Sequence, residues 1–190
     1  MTNIYTAKNF TYKNLKTISK EAFDLHIKLY EGYINKFNEI TKAYETTNKS
    51  QANHNYSETR SLLIDKAFNH NAIILHEAFF SLLNPNPEEP NQKLLNYIKD
   101  SFENIENYIQ DLKACCMSSR VGWGISILKE NQIQNFAIDR HDLHIPIDGK
   151  LIIAIDTWEH AFLMDYGIDK KQYLENIFKE IDFNAIINKY

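Results

Sequence analysis

The chain has 190 residues and a formal net charge of −4, with 21 Lys and Arg against 25 Asp and Glu. Its only arginines are Arg60, Arg120 and Arg140, which argues against the Arg-rich basic face of a nucleic-acid surface. At 44% hydrophobic and 24% charged it can bury a core, so a disordered segment is excluded.

In chain order, residues 1–17 read as an extended arm with little periodicity. Ser19 followed by Lys-Glu-Ala reads as a helix cap with an acidic first turn. Apolar positions then recur at Phe23, His26, Leu29/Tyr30, Tyr33, Phe37 and Ile40, a helical stripe. The polar run 45–57 predicts a connection to a second long helix from about Ser57 to Leu83, which stops before Asn84-Pro-Asn-Pro87. Residues Asn91–Ala114 read as two shorter helices. Short β-branched runs at Gly124–Leu128, Ile133–Ile138 and Leu151–Ile155, the last preceded by an Asp148-Gly149 turn, predict three strands. Helix returns over Trp158–Tyr166, Lys171–Ile181 and Phe183–Lys189. The expected fold class is α+β: a long N-terminal helical hairpin, then a C-terminal α/β part with a three-stranded antiparallel sheet. The expected domain division is 1–86 and 87–190.

The only cysteines are the neighbours Cys115 and Cys116. Adjacent cysteines rarely bridge, so no disulfide framework or zinc pair is expected, and the pair reads as buried hydrophobes at a helix end. No apolar run has the length of a membrane span, and Met1–Phe10 lacks the pattern of a signal peptide. A cytoplasmic protein without membrane or nucleic-acid partners is expected.

Chemistry concentrates in Asp156-Thr-Trp-Glu-His-Ala161, where an apolar strand ends in a carboxylate and a helix places His160 one turn on. Read alone, the segment equally fits a helix cap at Asp156 with an ordinary helical His160. Two further histidines alter the balance. His26, with Tyr33 seven residues on, shares one helix face, and His76 lies on the second helix beside Phe79 and Phe80. A lone His on an apolar face is usually a core residue. Two on paired helices, with Asp156 and His160, make a three-His, one-carboxylate set with room for solvent, the count of an open metal site.

Over nearly its whole length the chain resembles the iron/manganese superoxide dismutases. The resemblance rests on Phe10-Thr-Tyr12, Leu25-His26, Gly32-Tyr33, Phe68-Asn69, Leu75-His76, Gly122-Trp123-Gly124, the Asp156–Ala161 run, Asp165-Tyr166, Tyr173-Leu174 and the Tyr190 end. It implies that His26, His76, Asp156 and His160 bind one iron or manganese ion at the junction of the two halves, and that superoxide is converted to dioxygen and hydrogen peroxide. It further implies that Tyr33 gates the substrate channel and that Trp123 and Trp158 wall the site. Glu159 would reach the partner's metal-bound His across a homodimer interface.

Five positions depart from the family. Ala72 and Leu75 occupy positions where the family has Gln or Gly and Asn, which makes His141 the candidate for the missing solvent-bonding amide. Leu29 and Leu163 replace a His and a Tyr that meet across the subunit interface, a joint loss that leaves no unsatisfied partner. Lys170, beside Lys171, stands where the family has an Arg at the channel mouth, and would steer the anion. These less polar surroundings motivate a second reading, a metalloprotein of this fold with other redox chemistry or without dismutation. A metal-stabilised interaction protein is a third.

Overall fold

The computed structural model describes residues 4–187. Helix α1 (Lys20–Thr46) and helix α2 (Glu58–Leu82) form the long hairpin. Two shorter helices follow, α3 (Gln92–Phe102) and α4 (Ile105–Ser118). Then come strands β1 (Gly122–Lys129), β2 (Gln132–Asp139) and β3 (Lys150–Asp156), and helices α5 (Glu159–Tyr166), α6 (Lys170–Ile177) and α7 (Asn184–Ile187). The sheet order is β2-β1-β3 with both pairings antiparallel, Trp123 lying opposite Ile138 on one side and Asp156 on the other. The architecture is the α+β arrangement that the periodicities predict.

Helix starts follow from short polar side chains that accept a first-turn N–H. Ser19, Ser57, Asn91, Asn104 and Asp169 cap α1, α2, α3, α4 and α6 in this way, each cap contributing about 1 kcal/mol. The core runs from Phe23, Tyr30 and Phe79 in the hairpin through Trp123, Ile138 and Ile155 in the sheet to Tyr108 and Tyr173. Helix α4 lies close on β1 because Gly124 has no side chain: a Cβ there would stand 2.2 Å from the Cys116 sulfur.

Boundaries differ from expectation where tertiary contacts override local pattern. Helix α1 continues to Thr46, since the stretch after Ala43 holds no Gly or Pro to stop it, and a 3-10 turn at Lys49–Gln51 follows. Helix α4 runs four residues beyond Ala114, which buries Cys116; Cys115, expected buried beside it, is partly exposed. The helix expected over Lys171–Ile181 stops at Ile177. Glu180, in a 3-10 turn, accepts the backbone N–H groups of Lys16 and Thr17, and Ile181 pairs with Leu83. Lys189 and Tyr190, the end of the last expected helix and of the resemblance, lie outside the described residues.

The N-terminal arm is anchored rather than loose. Glu77, buried on α2, accepts from the Tyr30 hydroxyl at 2.9 Å, and its other oxygen pairs with the Lys8 ammonium. The Lys8 amide in turn donates to the Tyr30 oxygen at 3.0 Å. The arm is thereby strapped to both hairpin helices, one turn from His26 and next to His76.

Candidate metal centre

Asp156 ends β3 with its side chain fully buried. One carboxylate oxygen, Oδ1, accepts the Trp158 backbone N–H at 2.8 Å, and Tyr173 donates to the Asp156 carbonyl at 2.9 Å. These two bonds fix the strand end and aim the second oxygen, Oδ2, inward. Around Oδ2 stand three imidazole nitrogens: His26 Nε2 at 3.1 Å, His160 Nε2 at 3.2 Å and His76 Nε2 at 3.6 Å. The four potential ligand atoms all lie within 4.8 Å of one another. Helices α1, α2 and α5 and strand β3 each contribute one.

His76 shows why this cluster fits a cation. Its Nδ1 donates to the Ala72 carbonyl at 2.7 Å, so the proton sits there and Nε2 presents a bare lone pair. That Nε2 is buried and has no hydrogen-bond partner among the described residues, an arrangement that costs free energy unless something electrophilic meets it. Burial lowers the pKa of both His26 and His76, so both imidazoles are neutral, the ligating form. Burial alone would raise the Asp156 pKa, but the imidazoles of His160 and His26 outweigh it and hold the carboxyl well below its ordinary range. Nitrogen and anionic oxygen donors in a three-to-one ratio suit a divalent or trivalent first-row metal.

A second layer borders these four residues. The Trp123 ring meets the His76 ring at 5.0 Å, nearly edge-on, and the indole N–H donates to His141 Nδ1 at 3.0 Å. Indole can only donate, so His141 Nδ1 carries no proton and its single proton is on Nε2. That N–H points at the Tyr33 hydroxyl oxygen 3.2 Å away. Burial pushes the His141 pKa down to about 4 and the Tyr33 pKa up to about 12, the latter with help from the Asp156 charge. Both groups are therefore neutral near pH 7, His141 as the Nε2–H tautomer. Trp158 stacks on His141 at 4.9 Å and on His160 at 5.8 Å.

The remaining singled-out residues lie further out. The Lys170 ammonium donates to the Ser119 carbonyl at 2.7 Å and approaches the Ser119 hydroxyl at 3.3 Å, which ties α6 to the end of α4. Glu159 is exposed at the start of α5. His54 and His144 are exposed, and His70 packs against Phe37 at 5.4 Å, away from the cluster. The sequence reading gave no role to Phe68, whose ring contacts His141 at 4.7 Å and Tyr33 at 6.2 Å. It also missed Tyr173 as the pin on Asp156. Phe68 stands eight residues before His76, two helical turns away and near its face, and that spacing is the signal that would have found it.

Acid sensitivity of the metal-free chain follows from these buried groups. An unfolded His takes up a proton near pH 6.5, whereas folded His141 does so only near pH 4. Between those values the unfolded state holds more protons, so stability falls as pH falls. His141 alone removes about 2 kcal/mol between pH 6.5 and pH 5, and His26 and His76, also lowered, act in the same direction. Thermal unfolding of the metal-free chain is expected to drop by about 5 °C or more between pH 7.5 and pH 5. An unchanged midpoint would contradict a set of neutral buried imidazoles.

Fold and cluster together give four residues, drawn from a helical hairpin, a small sheet and the helix after it, that could hold one metal ion. The family model for iron/manganese superoxide dismutases, C-terminal domain, matches residues 90–189. The iron superoxide dismutase of Aquifex pyrophilus is 32% identical over 186 residues, covering 94% of this chain and 86% of the relative. The iron enzyme of Aquifex aeolicus matches to the same extent. A manganese superoxide dismutase of Halobacterium salinarum is 28% identical over 164 residues, 85% of this chain and 80% of the relative. The chain belongs to the iron/manganese superoxide dismutase family.

Proposed function

We propose that the chain is a superoxide dismutase working at one iron or manganese ion held by His26, His76, Asp156 and His160. The observation that carries this reading is the convergence of three imidazole Nε2 atoms on one buried carboxylate oxygen, with the His76 lone pair otherwise unpartnered. When bound, the ion supplies a one-electron acceptor and donor, alternating between +3 and +2, so that one superoxide leaves as dioxygen and the next as hydrogen peroxide. Forming peroxide takes up two protons, and the protein's part is to hold and deliver them.

Tyr33 is suited to that task. Because His141 donates to its oxygen, the Tyr33 proton is left to be offered into the site, and a pKa near 12 keeps it there at neutral pH. Trp123 and Trp158 wall the centre and exclude bulk water. His141 takes the place of the family's amide, but it has one proton where an amide has two. That proton goes to Tyr33, so any solvent on the ion receives no second donor from the same residue.

Two finer readings accompany this one. The second copy of the chain would seat on the apolar cleft of about 560 Å³ formed by Ala22, Leu25, Leu29, Leu163 and Met164 beside His26 and His160. Leu25, Leu163 and Met164 are each about half exposed there, and exposed Glu159 would cross to the partner's metal-bound His. A division into a hairpin domain, 1–86, and an α/β domain, 87–190, would put the metal at their junction. Cys115 and Cys116, both unpaired, suit a reducing, cytoplasmic setting. No helix among the described residues is long and apolar enough to cross a membrane.

The test is to load the purified chain with iron and, separately, manganese, measure metal per chain, and follow superoxide loss against His26→Ala. Near-stoichiometric metal with rapid superoxide loss is expected in the native chain, and neither in His26→Ala. Bound metal without superoxide loss above that control would favour the other reading, a metalloprotein with different redox chemistry, which the apolar Leu29, Ala72, Leu75 and Leu163 motivate.

A further inference from the structure

A protein of net charge −4 repels a small anion at long range, so an anionic substrate needs a local cation at its entrance. The Lys at the family's Arg position does not leave its charge free for this, because the Lys170 ammonium is half-buried against Ser119. Another cation stands on a ring that contacts Tyr33. The Arg140 guanidinium lies 5.3 Å over the Phe68 ring, and that ring also contacts His141 and Tyr33.

The placement of Arg140 is built into the loop after β2. Its backbone has φ of 57°, the left-handed region that a residue with a Cβ seldom adopts. The conformation is held by its N–H donating to the Val121 carbonyl and by the Leu143 N–H donating to Asp139. His141 thereby turns inward to Trp123 while Arg140, its neighbour, turns out over Phe68. The Arg140 side chain is 48% exposed. Its Nε lies 3.4 Å from Asp142 Oδ1, longer than a good hydrogen bond. Asp142 partly offsets the charge without cancelling its direction.

Resting on the dismutase reading, we propose that Arg140 draws the small monoanionic substrate toward the partly buried Phe68 and Tyr33, both in contact with His141, and that Asp142 moderates this attraction. Arg140 neither holds the metal nor delivers a proton; it acts on the approach of the anion. The role needs a positive charge more than a fork, so Lys should replace it where Gln cannot.

The experiment compares the metal-loaded native chain with Arg140→Gln, Arg140→Lys and Asp142→Asn. Two quantities are measured at low and at about 0.5 M ionic strength: the second-order rate of superoxide loss, and the dissociation constant of azide by absorbance. Expected at low ionic strength is a roughly three- to tenfold loss of rate and azide affinity in Arg140→Gln. Arg140→Lys should stay near native, and Asp142→Asn should equal or exceed native. At 0.5 M salt, where the screening length is about 4 Å, the differences should collapse. Arg140→Gln matching the native chain at both salt levels would overturn the proposal, as would a loss that salt leaves unchanged. Salt-sensitive azide binding that depends on Arg140, without superoxide turnover, would sustain the proposal and overturn the dismutase reading. A chain that takes up neither metal would overturn both.

Discussion

Asp156→Ala is expected to leave the chain folded but unable to retain iron or manganese, with superoxide loss falling to the level of free metal. The carboxylate is the only anion in the cluster, and all three imidazole Nε2 atoms lie within 3.6 Å of its Oδ2. Removing one partner of a buried charged group typically costs about 3–5 kcal/mol, which is roughly two to four powers of ten in affinity. The backbone supports remain, since Tyr173 bonds the main-chain carbonyl of residue 156 rather than its side chain. Metal per chain, measured after gel filtration, checks this. Asp156→Asn separates charge from shape: it keeps an oxygen that can accept from Trp158 but loses the negative charge, and is expected to lose metal nearly as completely. Stoichiometric, tightly held metal in Asp156→Ala would contradict the assignment.

The second large effect is expected at a residue with no side chain to offer a ligand atom. Gly122→Ala should destabilise the fold by about 3 kcal/mol or more, because a Cβ at Gly122 would stand 1.9 Å from the Ile138 carbonyl oxygen and 2.9 Å from the Asp139 Cα. Both are backbone atoms that cannot swing aside, so β1 and β2 must part. The Gly122 carbonyl accepts from the Thr157 N–H at 3.0 Å and from the Thr157 hydroxyl at 2.8 Å. The shift therefore reaches Asp156 on one side and the Trp123–His141 bond on the other. Gly32→Ala is the contrast: it lies in α1 with nothing within 4 Å of an added Cβ, and should gain roughly 0.5–1 kcal/mol from helix propensity. Denaturant unfolding of the two variants checks the opposite signs.

Much of this site was legible in the sequence because it is built on strongly periodic elements. His26 and Tyr33 are seven residues apart on a capped helix, and His76 sits in the largely apolar stretch Ala72–Leu83 beside Phe79 and Phe80, so both histidines were expected to face inward. Asp156 ends the most apolar of the strands, and Trp158 and His160 follow at fixed spacing. His141 was legible only as a candidate, since it lies in a loop where most histidines are solvated; what buries it is the bond from Trp123, a long-range contact that no local pattern carries. The direction of its proton needed the structure for the same reason. Element ends were least legible where a remote group decides them, as with Glu180, which stops its helix to hold the N-terminal arm. The placement of Arg140 was invisible in the sequence because it depends on a left-handed turn and on Phe68, remote in sequence.

Anomalous diffraction from crystals of the metal-loaded chain, collected at the iron or manganese edge, tests the central claim most directly. One strong peak per chain is predicted, bordered by His26 Nε2, His76 Nε2, His160 Nε2 and Asp156 Oδ2. A peak elsewhere, or a loaded crystal with none between those four atoms, would contradict the account.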